Sequence, residues 1–371
     1  MQQLPYRVGI DARLAGKKHA GIGRYIENLL LRLPKIAPEV SFTYFFYDQE
    51  QASDVLQHQT FSNVSVELVP IRHYSLKEQL ECPKYFRRQN LDLLHVPHFN
   101  VPILYRQKIV ITIHDLLWHE YQGPEVTTLS PWQYCLKHQV YFIVVAQAMK
   151  RARGIFVPTE TIKKTVMKYY PFTRNKIVVT KEGVSTAYQL QSLTQHTIKK
   201  QLVYVGSLYP HKNIRIVIDA LKELPDYTLL LAGTRTVFQE DIAAYVKEKK
   251  LEDRVHFLGY QSDESLLSLY AESFALVQPS LSEGFGLTGV EAMSAGIPVI
   301  ASSIPIFQEI YRGAAFYFDS SSIESFCTAV KTLEISNRQA SIEAGQKIAK
   351  TYSWDTMAQD TLSTYIKLLA T

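Results

Sequence analysis

Two glutamates, Glu283 and Glu291, stand eight residues apart on either side of the glycine-rich turn GFGLTG. The turn connects a strand-like segment to a short helix, and its glycines let backbone N–H groups come close to an anion. The first turn of a helix carries unpaired N–H donors and a partial positive charge, so we expect a phosphate at Gly286, Leu287 and Thr288. Glu291 would then accept hydrogen bonds from ribose hydroxyls, and Glu283 would face the group that the phosphate carries. From the residues alone, a capped helix with two surface acids stays an open alternative.

Lys212 is a second residue of interest, in the loop that follows the strand-like segment VYVGS and precedes a helix. A lysine at this position can neutralise a pyrophosphate as a mobile point charge. The pattern is common in α/β proteins, so an ordinary surface lysine is the alternative.

Gly21 and Gly23 open a helix after the first strand-like segment, in a short relative of the dinucleotide-binding fingerprint. The third glycine of that fingerprint is absent, and no acid stands some 20 residues further on, so the stretch is only weak evidence for a nicotinamide cofactor. The two glycines indicate a backbone that approaches a ligand closely, or else a tight junction between helix and sheet.

His114 and Asp115 end the buried strand-like segment IVITIHD, and His98 and Asn100 follow another such segment. The carboxyl ends of parallel strands lie at one edge of a sheet, so we expect these polar side chains to converge there. A lone histidine is usually structural, whereas a His-Asp pair at this edge is equally well explained by a functional site.

Several familiar chemistries have no counterpart in the sequence. It contains no Asp-x-Asp motif, no His/Cys ligand cluster, no Gly-x-Ser-x-Gly elbow and no Walker lysine loop, so no metal is implied. The net charge of +5 includes no long Lys/Arg block, which argues against nucleic acid as a partner. The three cysteines are scattered, and the N-terminus lacks a signal pattern. The apolar segments are about ten residues long, whereas ~20 residues are needed to span a bilayer. These features favour a soluble cytoplasmic protein.

Short β-branched segments alternate with helical stretches, which is the pattern of two parallel sheets with crossover helices. In the first half we predict strands at 7–11, 42–47, 65–70, 93–97, 109–115, 154–158 and 176–183, with a helix over 23–33. A polar linker is expected at 185–201. In the second half we predict strands at 202–207, 227–233, 255–260, 274–279 and 298–302, helices over 213–224, 238–250 and 263–272, and a short helix around Glu291. The chain ends in an amphipathic helix.

The combination of these motifs resembles a known family. The motifs follow the order found in retaining nucleotide-sugar glycosyltransferases of glycosyltransferase family 4. They are GIGRY near the start, HD after a central strand, KIVVTKEGV before the linker, VGSLYPHKN in the second half, EGFGLTGVEAMSAGIPVIAS, and a helix after SW. The resemblance covers nearly the whole chain. It implies an α/β protein of the GT-B fold, with two Rossmann-like domains that face each other across a deep cleft. It further implies an acceptor-binding domain at 1–187, a donor-binding domain at 188–352 and a terminal helix, 353–371, that packs back on the first domain.

The resemblance also implies roles for individual residues. Glu283 would contact hydroxyls of the transferred sugar, Glu291 the nucleotide ribose, and Lys212 the pyrophosphate. The glycines of GIGRY would let the first domain close over the phosphates, and His114 would lie near the sugar hydroxymethyl group and the acceptor. The implied catalytic set is His114, Asp115, Lys212 and Glu283, and the implied donor-binding set is Gly21, Gly23, Ser207, His211, Lys212, Glu283, Gly284, Phe285, Gly286, Leu287, Thr288 and Glu291.

The phosphate site departs from the family pattern at one position. Many members carry Arg where this chain has Ser207, and others carry the positive charge where this chain has His211. We hypothesise that His211, or Arg235 from the following loop, partly replaces the missing cation.

The implied function is a metal-independent transfer, with retention, of a hexose from a nucleoside diphosphate sugar to a lipid-linked or polysaccharide acceptor. GDP-mannose is the favoured donor, because the chain resembles bacterial mannosyltransferases of surface-polysaccharide assembly, and no cofactor is needed. The basic stretch KYFRRQ (84–89) would suit a peripheral contact with the inner membrane surface, with a solvated helix face as the alternative. The other functions left open are a nucleotide-sugar epimerase or hydrolase and a non-catalytic nucleotide-sugar-binding subunit of a glycosylation complex. The intact Glu283, Glu291, Lys212 and His114 argue against the binding subunit.

Overall fold

A computed structural model describes residues 6–16, 19–123, 127, 130–185, 188, 197–233 and 237–370. The chain forms two compact units. The first unit comprises Met1–Trp118, Leu129–Gly183 and Trp354–Thr371, and the second unit comprises His119–Thr128 and Val184–Ser353. The second unit thus includes a short segment from within the first half of the chain.

The first unit is built on a parallel sheet of seven strands, in the order β3-β2-β1-β4-β5-β6-β7. The strands are β1 (Arg7–Asp11), β2 (Ser41–Phe46), β3 (Val64–Leu68), β4 (Leu93–Val96), β5 (Ile109–Thr112), β6 (Gly154–Val157) and β7 (Ile177–Val179). The helices along this part of the chain are α1 (Ala20–Ile36), α2 (Gln49–Val55), α3 (Leu76–Arg88), α4 (Leu117–Glu120), α5 (Pro131–Arg151) and α6 (Glu160–Tyr169), and a 3₁₀ turn covers Pro171–Lys176. The central strands β4, β5 and β6 are buried along their length because helices cover both faces of such a sheet.

The second unit repeats the plan with a parallel sheet of six strands, in the order β10-β9-β8-β11-β12-β13. The strands are β8 (Lys199–Val205), β9 (Thr228–Ala232), β10 (Val255–Gly259), β11 (Ser273–Gln278), β12 (Val299–Ser302) and β13 (Ala315–Phe318). The helices are α7 (Ile214–Ala220), α8 (Gln239–Lys249), α9 (Asp263–Glu272), α10 (Leu287–Ala295), α11 (Pro305–Tyr311), α12 (Ile323–Ile335) and α13 (Arg338–Ala349), with 3₁₀ turns at Pro210–Lys212 and Arg312–Ala314.

The terminal helix α14 (Trp354–Leu369) is part of the first unit. Its Tyr365 Oη lies 2.5 Å from His95 Nδ1 of β4, and His95 Nε2 lies 2.8 Å from Thr112 Oγ1 at the end of β5. Thr112 in turn bonds Tyr25 Oη of α1 at 3.1 Å. This buried series of hydrogen bonds joins α14 to the sheet and to α1.

Both sheets have the strand order of a Rossmann fold, in which the order reverses beside the first strand. The reversal lies between β1 and β4 in the first unit and between β8 and β11 in the second. Ligands of such sheets bind beyond the carboxyl ends of the strands at this point. The predicted α/β class with two Rossmann-like domains is therefore confirmed.

Each predicted strand is present, although some end earlier than the sequence indicated. The predicted strand 109–115 ends at Thr112 and the predicted strand 176–183 ends at Val179, so His114, Asp115 and Glu182 lie in loops. Ile113 N still donates to Phe156 O, and beyond it the chain leaves the sheet. The linker prediction was wrong at 199–201, where β8 begins, and much of its remainder lies outside the described residues. The sequence analysis did not predict β13 or the helices α2, α3, α4, α5, α6, α11, α12 and α13.

Candidate functional site

The glycine-rich turn leads from β11 into α10, which begins at Leu287. Gly286 precedes the helix with a φ of 82°, in the left-handed region that favours glycine. Within the described part of the chain, no side chain caps this helix, and its first turn contains no acid. Glu291 is buried in the middle of α10. The alternative of a capped helix with a surface acid at 291 is therefore wrong.

Two glycines of the turn are required by packing inside the second unit. A Cβ at Gly286 would lie 2.4 Å from Tyr311 Oη, and a Cβ at Gly289 would lie 2.2 Å from the same atom. Tyr311 Oη donates to Gly286 O at 2.7 Å, and its ring stacks on Phe307 at 4.9 Å. The glycines therefore make room for a tyrosine, and their presence does not by itself require a ligand.

The remaining residues of the turn differ in what they can offer to a ligand. Gly284, Leu287 and Thr288 are half-buried. Phe285 is buried, and its ring lies edge-on against Tyr352 at 5.3 Å. The side chain of Phe285 therefore belongs to the core, and a contact with a donor would come from its backbone.

Lys212 and Glu283 meet at the strand reversal of the second sheet, one from the loop after β8 and the other from the loop after β11. Lys212 Nζ lies 2.6 Å from Glu283 Oε1, and Ser280 Oγ donates to the same oxygen at 2.9 Å. Each charged side chain is 18% exposed, so the pair is largely shielded but reachable. An ammonium group has three donors, so Lys212 can hold Glu283 and still donate to an anion.

His211 precedes Lys212 and is neutral at pH 7 in this structure. Burial lowers the pKa of His211 to about 4, the charge of Lys212 acts in the same direction, and Glu283 opposes them. A neutral imidazole supplies no fixed positive charge. This finding weighs against the hypothesis that His211 replaces the missing cation.

The neighbouring loops are tied together by backbone contacts. Leu281 N donates to His211 O at 2.7 Å, which joins the loop after β11 to the loop after β8. The carbonyl of Ser207 accepts a hydrogen bond from Tyr204 Oη at 2.5 Å. Ser207 therefore has a local structural contact, whereas Arg235 lies outside the described residues.

His114 is held on three sides in the first unit. Its Nε2 donates to Pro97 O at 3.2 Å, its Nδ1 lies 3.5 Å from Glu182 Oε1, and the ring of Tyr25 lies edge-on at 4.9 Å. A carboxylate at one nitrogen and a carbonyl at the other fix the orientation of an imidazole. Sequence reasoning missed Glu182, although it stands in the KIVVTKEGV motif, because nothing in that motif indicates which residue it faces.

Asp115 has a local contact of a different kind. Its Oδ1 accepts a hydrogen bond from Leu117 N at 3.0 Å, so it supports the turn that leads into α4. Its catalytic role stays a prediction.

Gly21 and Gly23 differ although both open α1. A Cβ at Gly23 would lie 2.0 Å from the carbonyl oxygen of Gly16, which is a tight junction between the helix and the preceding loop. A Cβ at Gly21 would meet nothing within 4 Å among the described residues. Gly23 is thus explained by the fold, and only Gly21 is open to a ligand.

The predicted convergence of polar side chains at the carboxyl edge of the first sheet is confirmed for His98 and His114. Burial is the main reason that the pKa of His98 lies well below its ordinary value, and the charge of His114 acts in the same direction. His114 Nε2 also donates to the carbonyl of Pro97, the residue before His98, so the loops after β4 and β5 meet at this edge. Asn100 Nδ2 donates to the buried Glu78 at 2.6 Å, so Asn100 has a structural contact.

Two family models match the chain, Glycosyltransferase Family 4 over residues 19–188 and Glycosyl transferases group 1 over residues 189–348. The O-antigen chain mannosyltransferase RfbU of Salmonella typhimurium is 30% identical over 247 residues, which cover 66% of this chain and 65% of that protein. The O-antigen chain mannosyltransferase B of Escherichia coli is 26% identical over an alignment that covers 94% of this chain and 96% of that protein.

Solved structures show the same fold. A glycosyltransferase from Rickettsia africae ESF-5 superposes with a TM-score of 0.73 at 15% identity, over 99% of both chains. The Anabaena protein HepE in complex with UDP-glucose superposes with a TM-score of 0.73 at 18% identity, over 98% of this chain and 99% of that chain. With the family matches, these findings show that the chain is a GT-B glycosyltransferase, composed of a Glycosyltransferase Family 4 domain followed by a group 1 glycosyl transferase domain.

Proposed function

We propose that the chain transfers a hexose, with mannose favoured, from a nucleoside diphosphate sugar to a lipid-linked or polysaccharide acceptor, with retention and without a metal. The observation that carries this proposal is the ion pair between Lys212 and Glu283, because Glu283 stands a few residues before the uncapped start of α10. Two relatives named as O-antigen chain mannosyltransferases support mannose as the transferred sugar, for which we propose GDP-mannose as the donor.

The diphosphate of the donor would bind at the backbone amides of Gly286, Leu287 and Thr288, with Lys212 donating to its oxygens. Negative charge builds up on the leaving nucleoside diphosphate as the bond from the sugar breaks, and donors already in place stabilise that charge. The helix start and the ammonium group are the groups that we propose for this purpose instead of a metal ion.

The sugar and the ribose would each have a carboxylate partner. Glu283 would accept hydrogen bonds from hydroxyls of the transferred sugar, with its orientation held by Lys212 and Ser280. Glu291, buried in α10, would accept hydrogen bonds from the ribose. His114, held by Pro97 and Glu182, would contact the sugar near the acceptor.

Retention would follow from attack on the face from which the diphosphate leaves. The bond between the anomeric carbon and the phosphate oxygen breaks, the acceptor oxygen forms the new bond, and the acceptor proton passes to a phosphate oxygen. Glu283 is engaged by Lys212 and Ser280, so we assign it a binding role and not that of a nucleophile.

The test begins with thermal unfolding of the purified chain in the presence of nucleoside diphosphates and their hexose conjugates. A ligand at about one hundred times its Kd stabilises the chain by about 2.7 kcal/mol, which identifies the donor. Transfer to a glycan acceptor is then followed with and without EDTA, and the anomeric configuration of the product is read by NMR. We expect Glu283→Gln and Lys212→Ala each to lower kcat/KM by about a hundredfold. Lys222→Ala, at an exposed lysine of the same unit, serves as the matched control.

Two outcomes would contradict the proposal. Consumption of the donor to a free or epimerised sugar, with no transfer to any acceptor, would indicate an epimerase or hydrolase. Binding of a nucleotide with no turnover of any donor would indicate a non-catalytic binding subunit.

We also propose a peripheral contact with the anionic inner surface of a membrane through α5. Four large apolar side chains on successive turns of this helix, Trp132, Leu136, Val140 and Ile143, are 51% to 68% exposed. The helix contains no acid, and Lys137, Lys150 and Arg151 give it a positive charge. An apolar face on a basic helix matches an anionic lipid surface. Among the described residues, no helix is both long enough and apolar enough to cross a bilayer.

The carboxyl end of α5 adjoins further cations. Lys108, Arg153 and Lys176 immediately precede β5, β6 and β7, and Lys176 Nζ donates to Lys150 O at 3.0 Å. The segments 106–108, 150–153 and 174–176 contain no acid. The amino edge of the first sheet thus adds a cationic surface to the apolar face of α5.

The basic stretch 84–89 belongs to the same surface. It ends α3, and Lys84, Arg87 and Arg88 are exposed. The ring of Phe86 in α3 lies edge-on to that of Tyr105 at 5.6 Å, and Arg151 Nη1 donates to Ile103 O at 3.3 Å, so the ends of α3 and α5 both adjoin the segment 103–105. The stretch singled out in the sequence is therefore one part of a larger cationic surface.

A further inference from the structure

A buried cluster of charged side chains lies at the carboxyl edge of the first sheet, and the proposed reaction does not use it. Arg13 is fully buried, with its Nη2 2.6 Å from Asp11 Oδ2 and 2.9 Å from Glu78 Oε1. Its Nη1 donates to Ile71 O at 2.9 Å. Burying such charges costs free energy that their attraction only partly offsets, so a buried cluster is weak evidence for stability and is better explained by the geometry that it imposes.

This cluster holds the backbone of Tyr74 in place. The second oxygen of Glu78 accepts hydrogen bonds from Tyr74 N at 2.8 Å and from Asn100 Nδ2 at 2.6 Å. Tyr74 has a φ of 59°, in the left-handed region that is unfavourable for a residue with a Cβ atom. Glycine or asparagine would adopt this conformation more easily, so the backbone conformation gives no reason for a tyrosine.

The ring of Tyr74 is exposed and firmly held. Its relative exposure is 63%, and it lies edge-on to His98 at 5.9 Å and tilted against Phe99 at 6.4 Å. His98 Nδ1 accepts a hydrogen bond from Asn100 N at 3.3 Å, so the proton of the neutral ring is on Nε2. His98 Nε2 then donates to Tyr74 Oη at 3.3 Å. Burial keeps the pKa of His98 well below its ordinary value, so this neutral form persists at physiological pH.

We propose that the ring of Tyr74 is a stacking platform for a pyranose of the acceptor glycan. Tyrosine offers a large, rigid contact surface at a low cost in conformational entropy, and the apolar C–H face of a pyranose can pack on it. Tyr74, His98 and His114 follow β3, β4 and β5, so all three lie at the carboxyl edge of the first sheet. The inference rests on the proposed function, because it assigns the sugar acceptor to the edge where His114 lies.

The experiment measures glycan binding and transfer separately in the full chain. The probes are four soluble methyl glycosides, of mannose, glucose, galactose and N-acetylglucosamine, and binding is measured by saturation-transfer NMR without a donor. Tyr74→Asn removes the ring and tolerates the φ of 59°, whereas Tyr74→Phe keeps the ring and loses the hydroxyl. Phe172→Asn is the control, because Phe172 is a 55% exposed aromatic residue just before β7, at the amino edge of the same sheet.

We expect Tyr74→Asn to raise the Kd and the KM of the best-bound glycoside about tenfold, with unchanged donor affinity and an unchanged melting temperature. In Tyr74→Phe and Phe172→Asn, the Kd and the KM of that glycoside should remain within about twofold of the wild-type values. Should Tyr74→Asn unfold, Tyr74→Gly replaces it, because glycine also accepts the left-handed conformation.

An unchanged glycoside Kd in Tyr74→Asn overturns the inference, as does equal weakening in Phe172→Asn or the absence of binding of any glycoside to the wild-type chain. Failure of the wild-type chain to turn over any donor contradicts the proposed function instead. The NMR measurement still tests in that case whether the ring of Tyr74 binds a pyranose, because it requires no turnover.

Discussion

His114 Nδ1 lies 3.5 Å from Glu182 Oε1, while His114 Nε2 donates to the carbonyl of Pro97. His114 follows β5 and Glu182 follows β7, so two separate loops at the carboxyl edge of one sheet hold a single imidazole. Both side chains are largely buried, which limits the competition from water. The contact gives Glu182 a positioning role for His114.

We expect Glu182→Gln to lower kcat about tenfold or more while leaving the donor Kd nearly unchanged, because the amide keeps the shape of the side chain but not its charge. Steady-state kinetics and nucleotide titration measure the two quantities separately. Glu160→Gln, at an exposed glutamate that starts α6, is the control. A Glu182→Gln variant with wild-type kcat would show that the contact is only structural.

Gly21 and Gly23 should respond differently to alanine. A Cβ at Gly23 would lie 2.0 Å from the backbone oxygen of Gly16, so Gly23→Ala should lower the free energy of unfolding by about 1–3 kcal/mol. Gly21→Ala meets no such contact, and alanine favours the helix, so we expect no loss of stability. If Gly21 approaches the donor phosphates, its alanine variant should instead raise the donor KM.

Urea unfolding and donor titration test these two expectations. Gly313→Ala is the control, since a Cβ there also meets nothing within 4 Å among the described residues. A wild-type donor KM in Gly21→Ala would remove Gly21 from the proposed donor site, and a fully stable Gly23→Ala would contradict the tight junction.

His211 should make the folded chain less stable in acid. Its pKa falls from 6.5 to about 4 on folding, so between these values the unfolded chain binds a proton there and the folded chain does not. The free energy of unfolding therefore decreases as the pH falls through this window. When the pH is lowered from 8 to 5, we expect the free energy of unfolding to decrease by about 2 kcal/mol more in the wild-type chain than in His211→Gln. Urea unfolding at both pH values measures the difference, and equal losses would contradict the burial effect.

The same variant decides whether His211 acts as a cation in the phosphate site. Because His211 is neutral at pH 8, His211→Gln should bind the nucleoside diphosphate as tightly as the wild-type chain at that pH. Weaker binding by the variant at pH 6 alone would show that the diphosphate raises the pKa of His211. Equal binding at both pH values would show that the hypothesis of His211 as a replacement cation is wrong.

The apolar face of α5 should control binding to anionic vesicles. The double variant Trp132→Ser, Leu136→Ser should weaken binding to phosphatidylglycerol vesicles about tenfold or more, because both side chains lose their apolar contact with the lipid. Added salt should weaken the binding of the wild-type chain, and phosphatidylcholine vesicles should bind poorly. Cosedimentation with vesicles measures the effect of the double variant, the effect of salt and the effect of the lipid headgroup.

Ile335→Ser is the control for this prediction, because Ile335 is an 89% exposed apolar residue at the end of α12 in the second unit. Activity on a soluble acceptor should not change in the double variant. If the wild-type chain dimerises in solution, ignores vesicles and becomes monomeric in the double variant, the face of α5 is an interface between two copies of the chain.

The strands were predictable because each is a short apolar segment between turn residues, and that pattern is local. The prediction failed for β13, a four-residue aromatic strand, and for α5, which buries Val144 and Val145 while it exposes Trp132 and Leu136. A helix with apolar residues on two faces has no single periodic stripe to recognise.

The site was predictable to the extent that its residues stand in one motif. Glu283, Gly286 and Glu291 follow one another through a turn and a helix, so their order along the chain indicates their arrangement. Glu182 and Tyr74 were not recognised, because their significance depends on His114 and on the buried Glu78, which belong to other segments.

The sequence by itself determined the alternation of strands and helices, the two Rossmann-like halves and the residue types around the proposed phosphate site, because each depends on neighbours along the chain. Only the tertiary structure decided the contacts between distant segments. Lys212 reaches Glu283 across 71 positions, and Arg13 reaches Glu78 across 65. Such contacts form when parallel strands bring their carboxyl ends to one edge, and the distances at that edge are set by the packing of whole sheets, which no short stretch of sequence specifies.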